Sequence, residues 1–271
     1  MLEITSRDNA RLKFARAVRD DRADRREQIF IEGLRLAEEA IAANLEITDY
    51  FFTAEFAAAP RGKILLENLA KQSKSGAMLS SNLLASIAET KSPPGVVVLA
   101  RAPETGKSLV AQALERSAQP LLIVLHEINN PLNVGAILRT AEAAGVAAAI
   151  LTKTTADPFA PKALRGAMGS AFRLPLWESA DFFEVIEFCR NYKIKTLGSD
   201  VRAEKTLFKI DWTTSHAIFI GSEAHGLNES EINKLDESLK IPMQAPVESL
   251  NAAVACGIIL YEARRQRSLS K

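Results

Sequence analysis

Residues 121–128 read Leu-Leu-Ile-Val-Leu-His-Glu-Ile, and this run constrains the fold more than any other feature. A strand with one wet face alternates apolar and polar residues, and five successive branched apolar side chains cannot. Such a strand is covered on both faces, which is the situation in a parallel sheet sandwiched by helices. β-rich segments at 147–152, 195–199, 216–222 and 239–243 follow it, separated by helical patterns at 134–144, 182–191 and 230–235 and by a long terminal pattern from Leu250. Alternating β and α with right-handed crossovers predicts a mostly parallel sheet with helices on both faces.

The first hundred residues alternate in shorter steps. Helical spacing over 8–19, 34–43 and 63–71 is interleaved with strands at 28–32, 47–53, around Met78 and at 96–101. Ser81 or Asn82 is placed to cap a further helix through Ile87, and Pro93-Pro94-Gly95 stops it. The expected organisation is a small α/β domain over 1–101, a linker over 102–117 and a second α/β domain over 118–271. With 271 residues, 47% of them hydrophobic, two cores can be filled.

Charge is nearly balanced at +1, so a nucleic-acid surface must come from local clustering. Arg7, Arg11, Lys13, Arg16 and Arg19 form such a cluster on or near one helix, continued by Arg22, Arg25 and Arg26. They suit RNA backbone contacts or, interleaved with acids, an ordinary solvated helix face. Cys189 and Cys256 fall in no metal-ligand spacing and read as small buried residues in a reducing compartment. No apolar run is long enough to cross a bilayer, and Glu3, Asp8, Asp20 and Asp21 interrupt the basic N-terminus as they would not in a transit peptide. The expectation is a soluble, cytoplasmic protein without membrane or metal.

Three segments at the C-terminal ends of predicted strands concentrate the unusual polar residues, where open α/β sheets place ligands. In 129–145, Asn133 is a candidate N-cap, and free N–H groups with Arg139 would make an anion site. A plain capped helix with a surface arginine is the alternative. In 219–228, Gly221, Glu223 and Gly226 follow a strand directly, but the segment has neither the Lys-Ser/Thr of a P-loop nor a dinucleotide fingerprint. In 241–267, Pro242 and Pro246 fix an irregular loop, Ser249 is placed to cap a helix, and Leu250, Val254, Ile258 and Tyr261 recur at core spacing. Arg264, Arg265 and Arg267 suit a helix C-terminus.

Together these segments resemble the three motifs of the SpoU/TrmH family within the SPOUT superfamily of RNA methyltransferases. The match is N-x-G-x-x-x-R at 133–139, G-x-E-x-x-G at 221–226, and I-P-M followed by S-L-N within 241–251. More weakly, 4–40 and 94–100 resemble the small substrate-binding domain of ribosomal-RNA members. Those members often carry a His-Gln-Gly-type sequence where this chain has Ser92-Pro93-Pro94-Gly95, which leaves the target nucleotide open. The resemblance implies a deep trefoil knot in the C-terminal domain, a homodimer with the active site near its interface, and S-adenosylmethionine (SAM) as cofactor. It implies SAM contacts at Gly221, Ile241, Met243 and Leu250, and catalytic roles for Arg139, Asn133, Glu223, Ser249 and Asn251.

The implied reaction is transfer of a methyl group to a ribose 2′-hydroxyl, most naturally in 23S-type ribosomal RNA. It cancels the sulfonium charge, so a dry pocket favours it and no metal is required. A guanidinium holds its proton too tightly to serve as a base, so Arg139 is expected to bind phosphate and stabilise the developing alkoxide, with Glu223 holding its guanidinium. A tRNA methyltransferase and a non-catalytic RNA-binding ribosome-assembly factor are the alternatives. An ordinary Rossmann oxidoreductase lacks its glycine signature here.

Overall fold

The computed structural model describes residues 2–20 and 27–269, so Arg22, Arg25 and Arg26 lie outside the described residues. The chain divides into two compact units. One takes in the residues up to Glu104 together with Pro158–Arg173, and the other takes in Thr105–Asp157 and Leu174 onward.

In the first unit the elements run β1 (Leu2–Ile4), α1 (Ala10–Arg19), β2 (Gln28–Glu32), α2 (Leu34–Ala42), β3 (Ile47–Thr53), α3 (Ala54–Ala58), α4 (Pro60–Gln72), β4 (Gly76–Leu79), α5 (Ser81–Ile87) and β5 (Val96–Arg101). The sheet order is β1-β4-β3-β5-β2, with β5 antiparallel to both β3 and β2 and the other pairs parallel. Leu12, Ala15 and Val18 recur at helical spacing on α1 and pack with Phe30, Phe51, Val97 and Leu99 of the sheet. Asn9 caps α1, and Ser80, one residue before the expected pair, caps α5 by accepting from Leu83 N–H. Two further helices, α8 (Pro161–Ala167) and α9 (Ser170–Arg173), group with this unit although they follow Thr105–Asp157 of the other unit in the chain. Here α8 packs on β2, Arg165 pairs with Glu89, and Arg173 pairs with Glu39.

The second unit holds α6 (Lys107–Glu115), β6 (Leu121–Leu125), α7 (Pro131–Ala144), β7 (Ala148–Thr152), β8 (Leu176–Ala180), α10 (Phe182–Asn191), β9 (Lys195–Ser199), β10 (His216–Ile220), α11 (Glu229–Ile232), β11 (Glu237–Leu239) and α12 (Ala252–Leu269). Its sheet runs β11-β9-β10-β6-β7-β8, with every pair parallel. The central pair is β6 and β10, which is why residues 121–125 are wholly apolar and buried throughout. The weakly patterned β8 escapes sequence reading because only one edge of its Leu-Trp-Glu-Ser-Ala segment is apolar. The last strand lies upstream of the expected 239–243 segment. Pro242 has no N–H to give a ladder, and Lys240 instead exchanges backbone bonds with Lys205 and Leu207.

The terminal helix differs most from expectation. It begins at Ala252 rather than Leu250, and its cap is Asn251, whose Oδ1 accepts from the N–H groups of Ala253 and Val254. Ser249 stays in the loop before it. Its buried face is Ala252, Cys256, Ile259, Leu260 and Ala263, and the helix packs on α7. Val254, Ile258 and Tyr261, expected in the core, are 51%, 38% and 52% exposed, and Leu250 is 36% exposed. Two apolar faces share this helix, and spacing alone cannot tell which one is inside. At its far end Arg267 does more than complement a helix dipole. Its guanidinium donates to the carbonyls of Trp212, Gln119 and Thr214 at 2.7, 2.8 and 2.7 Å.

Candidate active site

β6 and β10 lie side by side and release their chains at the same end of the sheet, so the loops that follow them meet. After β6, residues 126–130 turn into α7. Asn130 is its N-cap, accepting from Leu132 N–H, and not Asn133, which falls inside the first turn and is buried. Gly145, at φ 82°, ends α7 in the left-handed conformation that glycine adopts without strain. After β10, the chain folds back on itself over 221–227. A Cβ on Gly221 would sit 2.3 Å from the Gly226 carbonyl carbon, so Gly221 is demanded by the loop's own backbone.

Glu223 reaches from this loop to the start of α7. Its carboxylate accepts from Asn129 N–H at 3.1 Å, Asn130 N–H at 3.2 Å and Asn133 Nδ2 at 3.0 Å. Partial burial opposes its charge, but the Asn133 amide and these N–H groups outweigh burial and hold the carboxyl below its ordinary range. The anion at this helix start is therefore the protein's own side chain, and the free N–H groups expected for a phosphate are occupied. Asn133 Oδ1 in turn accepts from Asn251 Nδ2 at 3.1 Å. One hydrogen-bonded line, Glu223–Asn133–Asn251, joins all three motif segments.

Beside that line lies a cavity of about 500 Å³. Gly221, Ile241, Met243 and Leu250 all border it, with Ser249, Glu223 and His225. The wall is built from three stretches of chain and mixes the apolar side chains of Ile241, Met243 and Leu250 with charged ones, Asp200 and Arg202 among them. Arg139 is exposed on α7 and makes no hydrogen bond or ion pair among the described residues. It stands six residues beyond Asn133, about 9 Å along the helix axis. The expected Glu223–Arg139 contact is absent, because Glu223 is engaged by the asparagine turn. Its guanidinium is left open to an external anion.

The cationic helix is less free than its charges suggest. Arg11 donates to Asp49 and to the Ser75 carbonyl and stacks over Phe51. Arg19 donates to Asp20 and to the Ala88 carbonyl, and Arg16 to the Arg7 carbonyl. Lys13 forms a surface pair with Asp8 at 3.1 Å. Arg7 and Lys13 are the members that face solvent. Both cysteines are buried, and burial pushes the Cys189 thiol up to about 12. Among the described residues no group of three or more His, Cys, Asp or Glu side chains is placed to hold a metal ion, and no helix is long and apolar enough to cross a membrane.

The SpoU rRNA methylase family model matches residues 120–261, and the MRM3-like substrate binding domain model matches residues 9–98. The chain belongs to the SpoU rRNA methylase family. Among its relatives in that family, an uncharacterized tRNA/rRNA methyltransferase of Synechocystis is 32% identical over 268 residues, covering 97% of this chain and 94% of that protein. The 23S rRNA (guanosine-2′-O-)-methyltransferase of Vibrio cholerae is 35% identical over 158 residues, which spans 58% of this chain and 64% of that protein. A crystal structure of the SpoU methyltransferase AviRb from Streptomyces viridochromogenes, in complex with AdoMet, superposes with a TM-score of 0.85 at 26% identity, covering 96% of this chain and 98% of that one. The mixed-sheet first unit and the parallel-sheet second unit are therefore both family architecture.

Proposed function

We propose that this protein transfers a methyl group from SAM to a ribose 2′-hydroxyl of ribosomal RNA. The observation that carries the reading is the Glu223–Asn133–Asn251 line, which ties the three motif segments together beside a cavity lined by the second and third of them, with an unpaired arginine on the helix of the first. The cavity fits SAM: apolar side chains of Ile241, Met243 and Leu250 suit an adenine ring, and the looped backbone from Gly221 offers polar groups at its edge. Bound there, SAM supplies an electrophilic methyl on a sulfonium.

The chain's own residues would do the rest. Arg139 binds a phosphate of the RNA and stabilises the ribose oxygen as its proton leaves, using several donors in a fixed plane. The proton passes to phosphate or water, since the guanidinium retains its own. Asn133 and Asn251 position α7 against the cavity, Glu223 fixes the asparagine turn, and Ser249 orients the substrate at the cavity mouth. In the first unit Arg7 and Lys13 contact RNA phosphates, while Arg11, Arg16 and Arg19 shape the helix that presents them. The domain division that goes with this reading is an RNA-binding region over 1–101, a connection over 102–117 and a catalytic region from 118.

A homodimer belongs to the same reading, supported by the unpartnered Leu250, Val254, Ile258 and Tyr261 face; a second copy covers it beside the cavity. So does the trefoil knot, supported by the return of the chain from edge strand β11, past its pairing with Lys205 and Leu207, to α12 against α7. Cytoplasmic location follows from the substrate. Incubation of the protein with methyl-labelled SAM and ribosomal RNA, without added metal, tests the reading, with ribose-methylation mapping to locate the product. Label in a base, in protein only or nowhere would refute it.

A further inference from the structure

His126 is the first residue after β6, and its N–H donates to the Ile220 carbonyl of β10 at 2.8 Å. It therefore stands where the two central strands part, one toward the Arg139 helix and the other toward the cavity wall. Its ring is buried, tilted against Phe182 with centroids 4.6 Å apart. Both nitrogens have partners: Nδ1 meets Thr152 Oγ1 at 2.9 Å and Nε2 meets Glu231 Oε1 at 3.1 Å. A carboxylate only accepts, so Nε2 carries the proton that faces Glu231.

Glu231 belongs to α11, the four-residue helix that follows the cavity loop. Its carboxylate also accepts from Asn228 N–H at 2.9 Å and from Asn228 Nδ2 at 2.6 Å, while Asn228 Oδ1 accepts from Glu231 N–H at 3.0 Å. A single helical turn has no stability of its own in water, so its place depends on such outside ties. Asn228 lines the cavity. A chain of contacts thus runs from the end of β6, through His126 and Glu231, to the wall of the cavity.

We infer that His126 is a positioning residue: through Glu231 it fixes Asn228, and with it the 221–228 cavity wall, against the turn that leads to Arg139. Two carboxylates from one stretch of chain then hold that turn at separate points, Glu223 at the Asn129 and Asn130 peptides and Glu231 at His126. With Glu223 alone the loop keeps one anchor and swings about it. With both, cavity wall and Arg139 helix move as one piece. The inference rests on the cavity being the SAM site.

The test uses the full chain and measures SAM affinity by calorimetry together with steady-state methyl transfer. His126→Phe keeps a ring against Phe182 and removes both nitrogens. His126→Gln keeps a terminal amide N–H to donate to Glu231. The expected result for the phenylalanine variant is a Kd and KM for SAM raised about tenfold, equivalent to about 1.4 kcal/mol, with kcat within about twofold of the parent. The glutamine variant should recover most of the loss. Glu231→Gln, on a surface helix and able to keep the cap, should shift SAM affinity in the same direction and add little to His126→Phe in the double variant. It decides the matter if the phenylalanine protein does not fold. Unchanged SAM affinity in the folded variants, or a fall in kcat at constant KM, would overturn the inference. Failure of the parent protein to bind SAM would instead overturn the assignment of the cavity.

Discussion

Replacing Glu223 with glutamine separates two accounts of the active site. If Glu223 serves to hold Arg139, the pair should be energetically coupled. The structure instead gives the carboxylate three donors, Asn129 N–H, Asn130 N–H and Asn133 Nδ2. Glutamine keeps one oxygen, which can retain Asn130 and Asn133 as neutral bonds, while its amide nitrogen turns toward the Asn129 N–H. A bond to a charged group contributes about 1.5–3 kcal/mol and a neutral one about 0.5–1.5. Two such downgrades and one charged bond lost amount to about 3.5–6 kcal/mol, and solvent screening at this exposed side chain reduces that to about 1–2. The assay is urea unfolding of single and double variants. Glu223→Gln with Asn133→Ala should show a coupling of about 0.5–1 kcal/mol, and Glu223→Gln with Arg139→Ala should be additive within about 0.5. Because the folded carboxyl titrates below its ordinary value, this stabilisation is complete above the unfolded pKa of about 4.3 and disappears as pH falls through the lower folded value. Coupling to Arg139 that exceeds coupling to Asn133 would refute the reasoning.

Arg139→Ala should leave SAM affinity nearly unchanged and lower kcat by at least the 10²–10³-fold typical of losing one oxyanion donor; Arg139→Lys should be almost as inactive, and a lysine variant with high activity and a lowered pH optimum would make the residue a base. Arg267→Ala removes donors from three carbonyls and should lower stability by about 2–4 kcal/mol, read as a fall in Tm of roughly 4–16 °C, with Arg267→Lys recovering only part; an unchanged Tm would mean the clasp is ornamental. Ile258→Arg places a charge in the exposed α12 stripe and should convert a dimer to monomers in sedimentation equilibrium without unfolding α12, and a parent protein that is already monomeric would remove the proposed interface.

The parallel sheet was legible because the strands at its centre are buried at every position, 121–125 and 216–220, and apart from His216 are apolar throughout. The edges were not, since β8 and β11 carry mixed residues that suit strand or loop equally. The site was legible as three segments but not as a set of contacts. Asn130, Asn133, Ser249 and Asn251 are all cap-forming residue types, and only tertiary packing decides that Asn130 and Asn251 cap while Asn133 goes inward. Likewise a row of arginines displays charge but not partners, and Asp49, distant in sequence, is what withdraws Arg11 from solvent. His126, with no motif around it, gave no signal of its own. A cue lay in Asn228 and Glu231, whose three-residue spacing is that of a capping box.

The grouping of Pro158–Arg173 with the first unit also orders events in time. A chain emerging from the ribosome completes β5 at Arg101, yet the helix that packs on edge strand β2 ends at Ala167, some seventy residues later. At ordinary synthesis rates of about 5–20 residues per second, that interval is roughly 3–14 s. Throughout it, the nascent first unit lacks its α8 cover, and an uncovered edge strand is a template for pairing with other chains. The same protein is therefore most vulnerable to misassembly not when it is shortest but when its first unit is folded and its second is half made.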